Sequence, residues 1–348
     1  MSTTSFSTAP AEKAIPPGAQ LMQVVASAFV SQSTYVAAKL GIADLLADGP
    51  KSAEFLAVAT STHEAALYRT LRAIASVGIF TEVEPRVFAN TPMSDTLKSD
   101  HPASTRELTI WMGEPDHWNV YGQLMYSVKT GKPAWDKVFG EPVFDTLFEK
   151  DRELGEIFNR AMTSLSNLTI PAIIDAYDFS GANTIADIAG GYGHLLGAIL
   201  QANPGVNGVL FEIPQVLEGA PAMMERYGVS DRVEYVTGDF TESIPVEADI
   251  YFMKHIIHDW YDDKNVRILE NIRNSMPEDA KVLIIDTIIP EGDEPHVGKI
   301  MDIEMLLAPG GMERTPAEFE ALLDKAGFKM VRIIPTESPV GIVEAVKK

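Results

Sequence analysis

The feature that most limits how this chain folds is the alternation of short apolar runs with helical segments after about Tyr177. Such runs are typical of parallel strands, because helices cover both faces of a parallel sheet. Five runs are clear and two later ones are candidates: residues 184–188, 206–211, 233–237, 249–253 and 281–285, then 328–334 and 341–346. The pattern predicts a doubly wound α/β domain, with a capped helix at residues 317–326 before the last strands.

The part of the chain before this domain has helical periodicity from Ala19 to about Ile170, for example after a capping box predicted at residues 61–64. Residues 78–91 predict a short β-ribbon behind a helical pair, an arrangement that resembles a winged helix. The segment 22–46 is rich in apolar residues and poor in charged ones. We therefore expect these helices to pair two chains as a homodimer.

The charge balance argues against nucleic acid and membrane surfaces as partners. The chain has 28 Lys and Arg residues against 49 Asp and Glu residues, and the net charge of -21 repels phosphates and anionic lipids. Arg69 and Arg72 on the candidate recognition helix are offset by nearby Glu64, Glu82 and Glu84. A DNA-binding regulator that uses the winged-helix half is the less favoured alternative.

The absence of cysteine excludes disulfides, thiolate metal sites and a cysteine nucleophile. It agrees with a reducing compartment, and we predict a cytoplasmic location. Residues 1–18 are rich in Ser, Thr, Ala and Pro without the apolar core of a signal peptide, so a flexible tail is expected. No apolar run approaches the roughly 20 residues that a membrane helix needs.

Glycines and an acid follow the first two predicted strands, at the sheet edge where open parallel sheets bind ligands. Gly190, Gly191 and Gly193 allow a tight turn that a ligand can approach closely. Glu212 ends the second strand, where a carboxylate accepts hydrogen bonds from ribose hydroxyls. A nicotinamide-binding pattern would instead require glycine where Leu196 stands.

The third predicted strand ends in front of Asp239 and Phe240. This pair places a carboxylate and an aromatic ring where an adenine can be hydrogen-bonded and covered. Carboxylates at the strand ends disfavour a pyrophosphate but tolerate a cationic cofactor. The three strand ends together predict S-adenosylmethionine as the cofactor.

A candidate general base follows the fourth strand. His258 lies in the segment 254–260, Asp286 ends the fifth strand, and Glu313 lies in the glycine-led loop 310–315. Because neighbouring strands end at one edge, we expect His258 and Asp286 to share a crevice. A histidine flanked by two carboxylates has a fixed tautomer and a stabilised imidazolium, which predicts general base catalysis.

The acidic stretch after His258 has the composition of an oxygen-ligand magnesium site, with Asp259, Asp262, Asp263 and Asn265. Asp262 and Asp263 are explained more simply as the N-terminal cap and first turn of a helix at residues 264–276, where acids favour the helix dipole. We therefore predict no metal ion.

These motifs resemble the S-adenosylmethionine-dependent O-methyltransferases of the plant caffeate and chalcone type and their bacterial relatives that act on antibiotic and phenazine precursors. The resemblance covers nearly the whole chain, and its most specific parts are residues 254–260 and 313–315. It implies a cofactor site, a catalytic base and two flanking acids: Gly190, Gly191, Gly193, Glu212, Asp239, Phe240 and Lys254 for the cofactor, His258 as base, and Asp286 and Glu313 beside it.

The resemblance also implies where the acceptor binds, and the sequence departs from the family pattern at three positions. Ala189 stands where the glycine run begins, Glu212 replaces the usual aspartate, and His255 stands where tryptophan is frequent. The implied acceptor pocket takes in the segment 111–118 and residues on later helices: Trp111, His117, Phe158, Asn159, Met162, His255, Met305 and Leu306. Aromatic and methionine side chains of this kind suit a flat aromatic acceptor.

Taken together, the sequence predicts a Rossmann-like methyltransferase sheet behind a helical, winged-helix-like dimerisation domain. The expected divisions are a tail over 1–18, the dimerisation domain over 19–110, a helical connector with the acceptor pocket over 111–176, and the catalytic domain over 177–348. The expected reaction is methyl transfer to a hydroxyl of an aromatic or phenol-like molecule, with His258 as base. The alternative within the family is decarboxylation or hydroxylation of a similar aromatic substrate.

Overall fold

The structure is a computed structural model that describes residues 15–348. The tail predicted for residues 1–18 lies outside the described residues up to residue 14, and Pro17 and Gly18 open the first helix. The chain forms two compact units, of which the first ends at Ser99 and the second runs from Asp100 to Lys348.

Over the described residues 15–99, the first unit contains five helices and three strands: α1 (Pro17–Lys39), α2 (Ile42–Leu45), β1 (Lys51–Ser52), α3 (Ala53–Thr60), α4 (Glu64–Ala75), β2 (Phe80–Glu84), β3 (Val87–Asn90) and α5 (Pro92–Asp95). The strands form an antiparallel sheet in the order β1-β3-β2, and the β2–β3 hairpin is the predicted ribbon. The capping box predicted at residues 61–64 is wrong. His63 caps α4 instead, because Ser61 is left-handed, with φ of 54°, and ends α3.

The second unit contains these helices: α6 (Arg106–Gly113), α7 (Pro115–Tyr121), α8 (Leu124–Thr130), α9 (Ala134–Phe139), α10 (Val143–Asp145), α11 (Arg152–Ala176), α12 (His194–Ala202), α13 (Pro214–Leu217), α14 (Ala220–Tyr227), α15 (Asp262–Ser275), α16 (Val297–Leu307) and α17 (Pro316–Lys325). A π-turn covers Thr146–Lys150, and 3-10 turns cover Ser230–Arg232 and Ile257–Asp259.

The sheet of the second unit has seven strands: β4 (Thr184–Ile188), β5 (Asn207–Glu212), β6 (Val233–Thr237), β7 (Ile250–Lys254), β8 (Lys281–Thr287), β9 (Phe328–Pro335) and β10 (Val340–Lys347). Their order is β6-β5-β4-β7-β8-β10-β9. The first five are parallel, whereas β10 is antiparallel to both of its neighbours. The predicted doubly wound sheet is confirmed, and its strand order reverses between β4 and β7, where such sheets bind ligands.

Alternate side chains of the strands enter two apolar clusters, one on each face of the sheet. Along β4, Ala186 and Ile188 belong to one cluster and Ile185 to the other. This two-sided burial explains why the strands read as unbroken apolar runs. In the described part of the chain, none of the helices combines the length and the hydropathy needed to cross a membrane.

Two helix starts near the sheet edge were predicted from sequence. The capping box of Thr315 and Glu318 at the start of α17 is confirmed. The predicted cap of α15 is wrong, because the helix begins two residues earlier than expected. Tyr261 is its N-cap, and Asp262 and Asp263 both lie in its first turn.

Candidate active site

The glycine turn that follows β4 is shaped for close approach of a ligand. Ala189, Gly191 and Gly193 have left-handed backbones, with φ of 59°, 61° and 79°. A Cβ added to Gly190 would lie 2.3 Å from the carboxylate of Asp187. Backbone conformation therefore favours glycine at positions 191 and 193, and space requires it at 190. Ala189 adopts the left-handed conformation without the freedom of glycine.

Glu212, at the end of β5, contacts this turn directly. Its Oε2 accepts a hydrogen bond from the Gly191 N–H at 2.9 Å, and its Oε1 accepts one from the Ile213 N–H at 2.8 Å. Burial raises the pKa of Glu212, and these two hydrogen bonds oppose the rise. The carboxylate predicted for the ribose thus lies against the predicted cofactor turn.

Lys254, the last residue of β7, lies between two buried acids. Its Nζ donates a hydrogen bond to Ser166 Oγ at 3.1 Å. Burial lowers the pKa of Lys254 to about 8, while the charges of Asp187 and Asp286 oppose the change. Burial likewise raises the pKa of Asp187 to about 8. The charge of Lys254 therefore interacts both with the acid behind the glycine turn and with the acid beside the predicted base. Ser166 and Asp187 were not predicted, although Asp187 stands at a strand end in the sequence.

The two residues predicted for adenine follow β6. Asp239 is exposed, and its Oδ1 accepts hydrogen bonds from the N–H and hydroxyl of Thr241 at 2.7 and 2.6 Å. The ring of Phe240 lies 6.4 Å from that of Trp260, and its carbonyl accepts a hydrogen bond from Asn271. Both residues lie at the sheet edge that carries the glycine turn.

His258 lies on the 3-10 turn after β7, and the structure brings both predicted acids close to it. Its Nδ1 is 3.0 Å from Glu313 Oε1, so the carboxylate accepts a hydrogen bond from the Nδ1–H. Its Nε2 lies 3.5 Å from Asp259 Oδ1. Because β7 pairs in parallel with β8, Asp286 also lies next to His258. One ring nitrogen of His255, one ring nitrogen of His258 and one carboxylate oxygen of Asp286 lie within 4.8 Å of one another.

The carboxylates make His258 a strong base. Burial by itself would lower the pKa of His258, but the charges of Asp259, Asp286 and Glu313 outweigh it and raise the pKa to about 10. Burial raises the pKa of the neighbouring Asp286 to about 7, and the positive charge of the His258 imidazolium opposes this rise. Asp259 completes the set of acids. Asp259 was not predicted to act in catalysis, although it adjoins His258 in the chain.

Two buried side chains outside the predicted set hold the His258 turn in place. Arg314 donates to the carbonyls of Ile257 and Trp260 at 3.1 Å each. Asn265 donates to the same two carbonyls at 2.8 Å each. Arg314 also pairs with Asp262, which is therefore engaged in an ion pair at the start of α15. The Arg314-Thr315 sequence next to Glu313 was the available signal for this role.

Glu313 is itself positioned by α16, because its N–H donates to Asp302 Oδ1 at 2.8 Å. The next residues of α16 lie among the side chains predicted for the acceptor pocket. Met305 is buried, and Glu304 pairs with His117, whose Nε2 is 2.6 Å from Glu304 Oε1. The other ring nitrogen of His117 lies 2.9 Å from the Trp111 carbonyl, so the protein engages both nitrogens. Glu304 was not predicted, and its distance in sequence from His117 left no signal.

A row of aromatic rings runs from Trp111, next to the His117–Glu304 pair, to the turn that carries His258. The ring of Phe158 lies 5.2 Å from Trp111 and 6.3 Å from Phe148. Phe148 stacks 6.0 Å from Phe144, which lies 5.4 Å from Trp260. The other two predicted pocket residues on α11, Asn159 and Met162, are half-buried. The structure thus forms a continuous aromatic row that ends two residues after His258.

Comparisons with known proteins agree with this geometry. A family model described as the O-methyltransferase domain matches residues 121–329, and one described as the O-methyltransferase dimerisation domain matches residues 22–100. Phenazine O-methyltransferase PhzM of Lysobacter antibioticus is 42% identical over 332 residues, which cover 95% of this chain and 97% of that protein. Mitomycin biosynthesis 6-O-methyltransferase of Streptomyces lavendulae is 40% identical over 324 residues, 92% of either chain.

A solved structure adds the cofactor to the comparison. CalO1, a methyltransferase in calicheamicin biosynthesis in its SAH-bound form, is 33% identical, with a TM-score of 0.85 over 95% of this chain and 98% of that one. The predicted enzyme class, fold class and cofactor are confirmed. The chain belongs to the S-adenosylmethionine-dependent O-methyltransferases with an N-terminal dimerisation domain.

Proposed function

We propose that His258 is the general base that deprotonates the acceptor hydroxyl, with its Nε2 receiving the proton. The observation that carries this proposal is the hydrogen bond from Nδ1–H to Glu313, which makes Nε2, 3.5 Å from Asp259 Oδ1, the nitrogen that receives the proton when the ring is neutral. S-adenosylmethionine supplies, when bound, a methyl group that its sulfonium already activates. The chain therefore needs only to place the acceptor oxygen and remove its proton.

The acids around His258 match its basicity to such an acceptor. A phenol has a pKa of about 10, so transfer of its proton to an ordinary imidazole of pKa about 6.5 is uphill by about 5 kcal/mol. With the pKa of His258 raised to about 10, the transfer is close to balanced. Asp259, Asp286 and Glu313 would then stabilise the imidazolium that forms.

For the cofactor we propose the residues along the sheet edge: Gly190, Gly191, Gly193, Glu212, Asp239, Phe240 and Lys254. They fit S-adenosylmethionine because the turn excludes a Cβ at Gly190 and because the Glu212 carboxylate lies against this turn, where it already accepts two N–H hydrogen bonds. Glu212 would exchange its bond with Gly191 N–H for the ribose hydroxyls. No residue of this set needs to move a proton.

We propose an aromatic acceptor that carries the hydroxyl to be methylated. The aromatic row from Trp111 to Trp260 supports this, since ring faces pack favourably against flat aromatic molecules. The names of the relatives point the same way, because a phenazine is an aromatic ring system. The acceptor site would also use Asn159, Met162, His255 and Met305, and a cytoplasmic location stays a prediction.

Replacing the base tests this function. His258→Ala should lower kcat by about 10² to 10⁴ fold with a phenolic acceptor at neutral pH, because the proton then has no receiver. The affinity for S-adenosylhomocysteine should stay within about twofold, since His258 is proposed to touch only the acceptor. The rate of S-adenosylhomocysteine release and calorimetric binding give the two readouts. A His258→Ala enzyme that keeps most of its turnover contradicts the general base role.

We also propose that the enzyme is a homodimer built through the first unit. The family model of the dimerisation domain matches this unit, and α1 carries exposed apolar side chains along one face. A solvent-exposed helix does not normally present such a face.

A further inference from the structure

A strained histidine lies beside the proposed base. His255 is the first residue after β7, and its backbone is left-handed, with φ of 57°. Its N–H donates to the Ile285 carbonyl at 3.1 Å, which fixes this conformation against β8. As a result its ring stacks on His258, with centroids 5.1 Å apart and planes inclined by 27°. Backbone strain in non-glycine residues is concentrated at functional sites.

The polar atoms of this histidine are buried and unused by the protein. Within residues 15–348, neither ring nitrogen of His255 and neither carboxylate oxygen of Asp286 has a hydrogen-bond partner. The Asp286 side chain is 0% exposed, and its Oδ1 lies 3.9 Å from His255 Nδ1. Buried polar atoms in folded proteins nearly always have partners. The convergence of these unpaired atoms next to His258 indicates that a polar group of a ligand belongs there.

The protonation of His255 defines what that group must be. Burial, together with the positive charges of Lys254 and His258, holds the pKa of His255 well below its usual 6.5, so the imidazole is neutral. A neutral imidazole carries one N–H and one bare nitrogen. The Asp286 carboxylate beside Nδ1 favours the N–H at that position. Nε2 is then a hydrogen-bond acceptor, and its partner must be a donor.

We propose that His255 Nε2 binds a second hydroxyl of the acceptor, on the ring carbon next to the hydroxyl that is methylated. This inference rests on the proposed function, because it assigns the methylated oxygen to His258. One ring nitrogen of His255 and one of His258 lie within 4.8 Å of each other, a spacing between the two rings that suits oxygens on neighbouring ring carbons but not on opposite ones. The preferred acceptors are therefore ortho-dihydroxyarenes.

Three small acceptors test this specificity: catechol has the adjacent hydroxyl, guaiacol has a methoxy group there, and phenol has neither. In the wild type, kcat/KM for catechol, counted per hydroxyl, should exceed the other two by about tenfold or more, because they leave a buried nitrogen unpaired. His255→Phe, which keeps a flat ring without nitrogens, should reduce the difference to about twofold. His255→Gln should restore part of it, and His296→Phe, a histidine substitution before α16, should leave it unchanged.

The outcomes separate this inference from the general base proposal. An undiminished catechol preference in His255→Phe, or no preference in the wild type, overturns the subsite while methyl transfer stands. A preference that EDTA abolishes in the wild type also overturns it, since a divalent cation on His255, His258 and Asp286 would then hold the diol. If none of the three acceptors is methylated, the subsite is tested by binding instead. Calorimetry then measures the affinities of catechol and guaiacol for the complex of the enzyme with S-adenosylhomocysteine. Catechol binding that is tighter than guaiacol binding, and that loses this advantage in His255→Phe, supports the subsite even if His258 is not the base. Equal binding of the two molecules to the wild type overturns the subsite.

Discussion

At the scale of single residues, the glycine turn has an alanine and a glycine in the same left-handed backbone conformation, which is strained for alanine and not for glycine. Ala189 and Gly191 have nearly equal φ, 59° and 61°, and a Cβ on Gly191 would meet nothing within 4 Å. The difference between these positions is therefore one of backbone strain and not of space. An L-residue pays roughly 1–2 kcal/mol for a left-handed conformation.

Backbone strain predicts opposite effects for two substitutions. Gly191→Ala should lower the free energy of unfolding by about 1–2 kcal/mol. Ala189→Gly should relieve that strain and lose part of the gain to the more flexible unfolded chain, for a net stabilisation of up to about 1 kcal/mol. Urea unfolding of both variants measures the two values. A clear loss of stability in Ala189→Gly would show that the alanine methyl makes contacts that outweigh its strain.

The acids beside His258 predict a specific pH dependence. Because the pKa of His258 is raised to about 10, the base keeps its proton at neutral pH, and kcat/KM should increase as the pH rises toward that value. Glu313→Gln removes one of the charges that raise it. The pKa of His258 should then fall, and the rising limb should move to lower pH by about one unit.

The same acceptor must be used for both enzymes, so that its own ionisation cancels in the comparison. The maximal rate of Glu313→Gln should also be lower, because a less basic imidazole deprotonates a phenol less readily. A rising limb at the same pH in both enzymes would mean that Glu313 does not control the titration of the base.

At the scale of elements, the catalytic turn depends on two neighbours that hold the same backbone carbonyls. Arg314 and Asn265 both donate to the carbonyls on either side of His258. One comes from the loop before α17 and the other from α15. The orientation of the base is therefore fixed by packing between elements rather than by its own short 3-10 turn.

Substitutions on one helix separate this turn from the cofactor side. Asn265→Ala should lower kcat by about tenfold or more, because two lost hydrogen bonds free the His258 turn to shift. Asn271→Ala, on the same helix, removes only a bond to the Phe240 carbonyl and should weaken cofactor binding rather than kcat. Steady-state kinetics with varied S-adenosylmethionine distinguish the two. Equal effects of both variants on kcat would contradict a specific role for Asn265.

At the scale of the whole molecule, the first unit carries an apolar face that is exposed among the described residues 15–348. Leu21, Val25 and Phe29 recur every four residues along α1 and are 64%, 59% and 77% exposed. Apolar side chains at this spacing share one face of a helix. Burying this face against a second copy would explain its composition.

Association should therefore depend on this face. Light scattering at micromolar concentration should give twice the 38.0 kDa chain mass for the wild type, and Phe29→Glu should reduce it toward the monomer by placing a charge in the interface. Gln23→Glu adds the same charge to the other side of α1 and serves as the control. A monomeric wild type, or a Phe29→Glu protein that still dimerises, would contradict dimerisation through α1.

The sequence by itself determined the sheet and the residues at its edge. Burial on both faces makes the inner strands β4, β5, β7 and β8 mostly apolar, and parallel strands place their carboxyl ends side by side, so Glu212, His258 and Asp286 could be expected at one edge. Tertiary structure alone decided which groups touch. It paired His117 with Glu304, placed Arg314 and Asn265 on the same carbonyls, and left His255 unpaired beside the base. The contacts of Glu304 and Arg314 join residues distant in sequence through side-chain packing, and no local periodicity encodes such contacts.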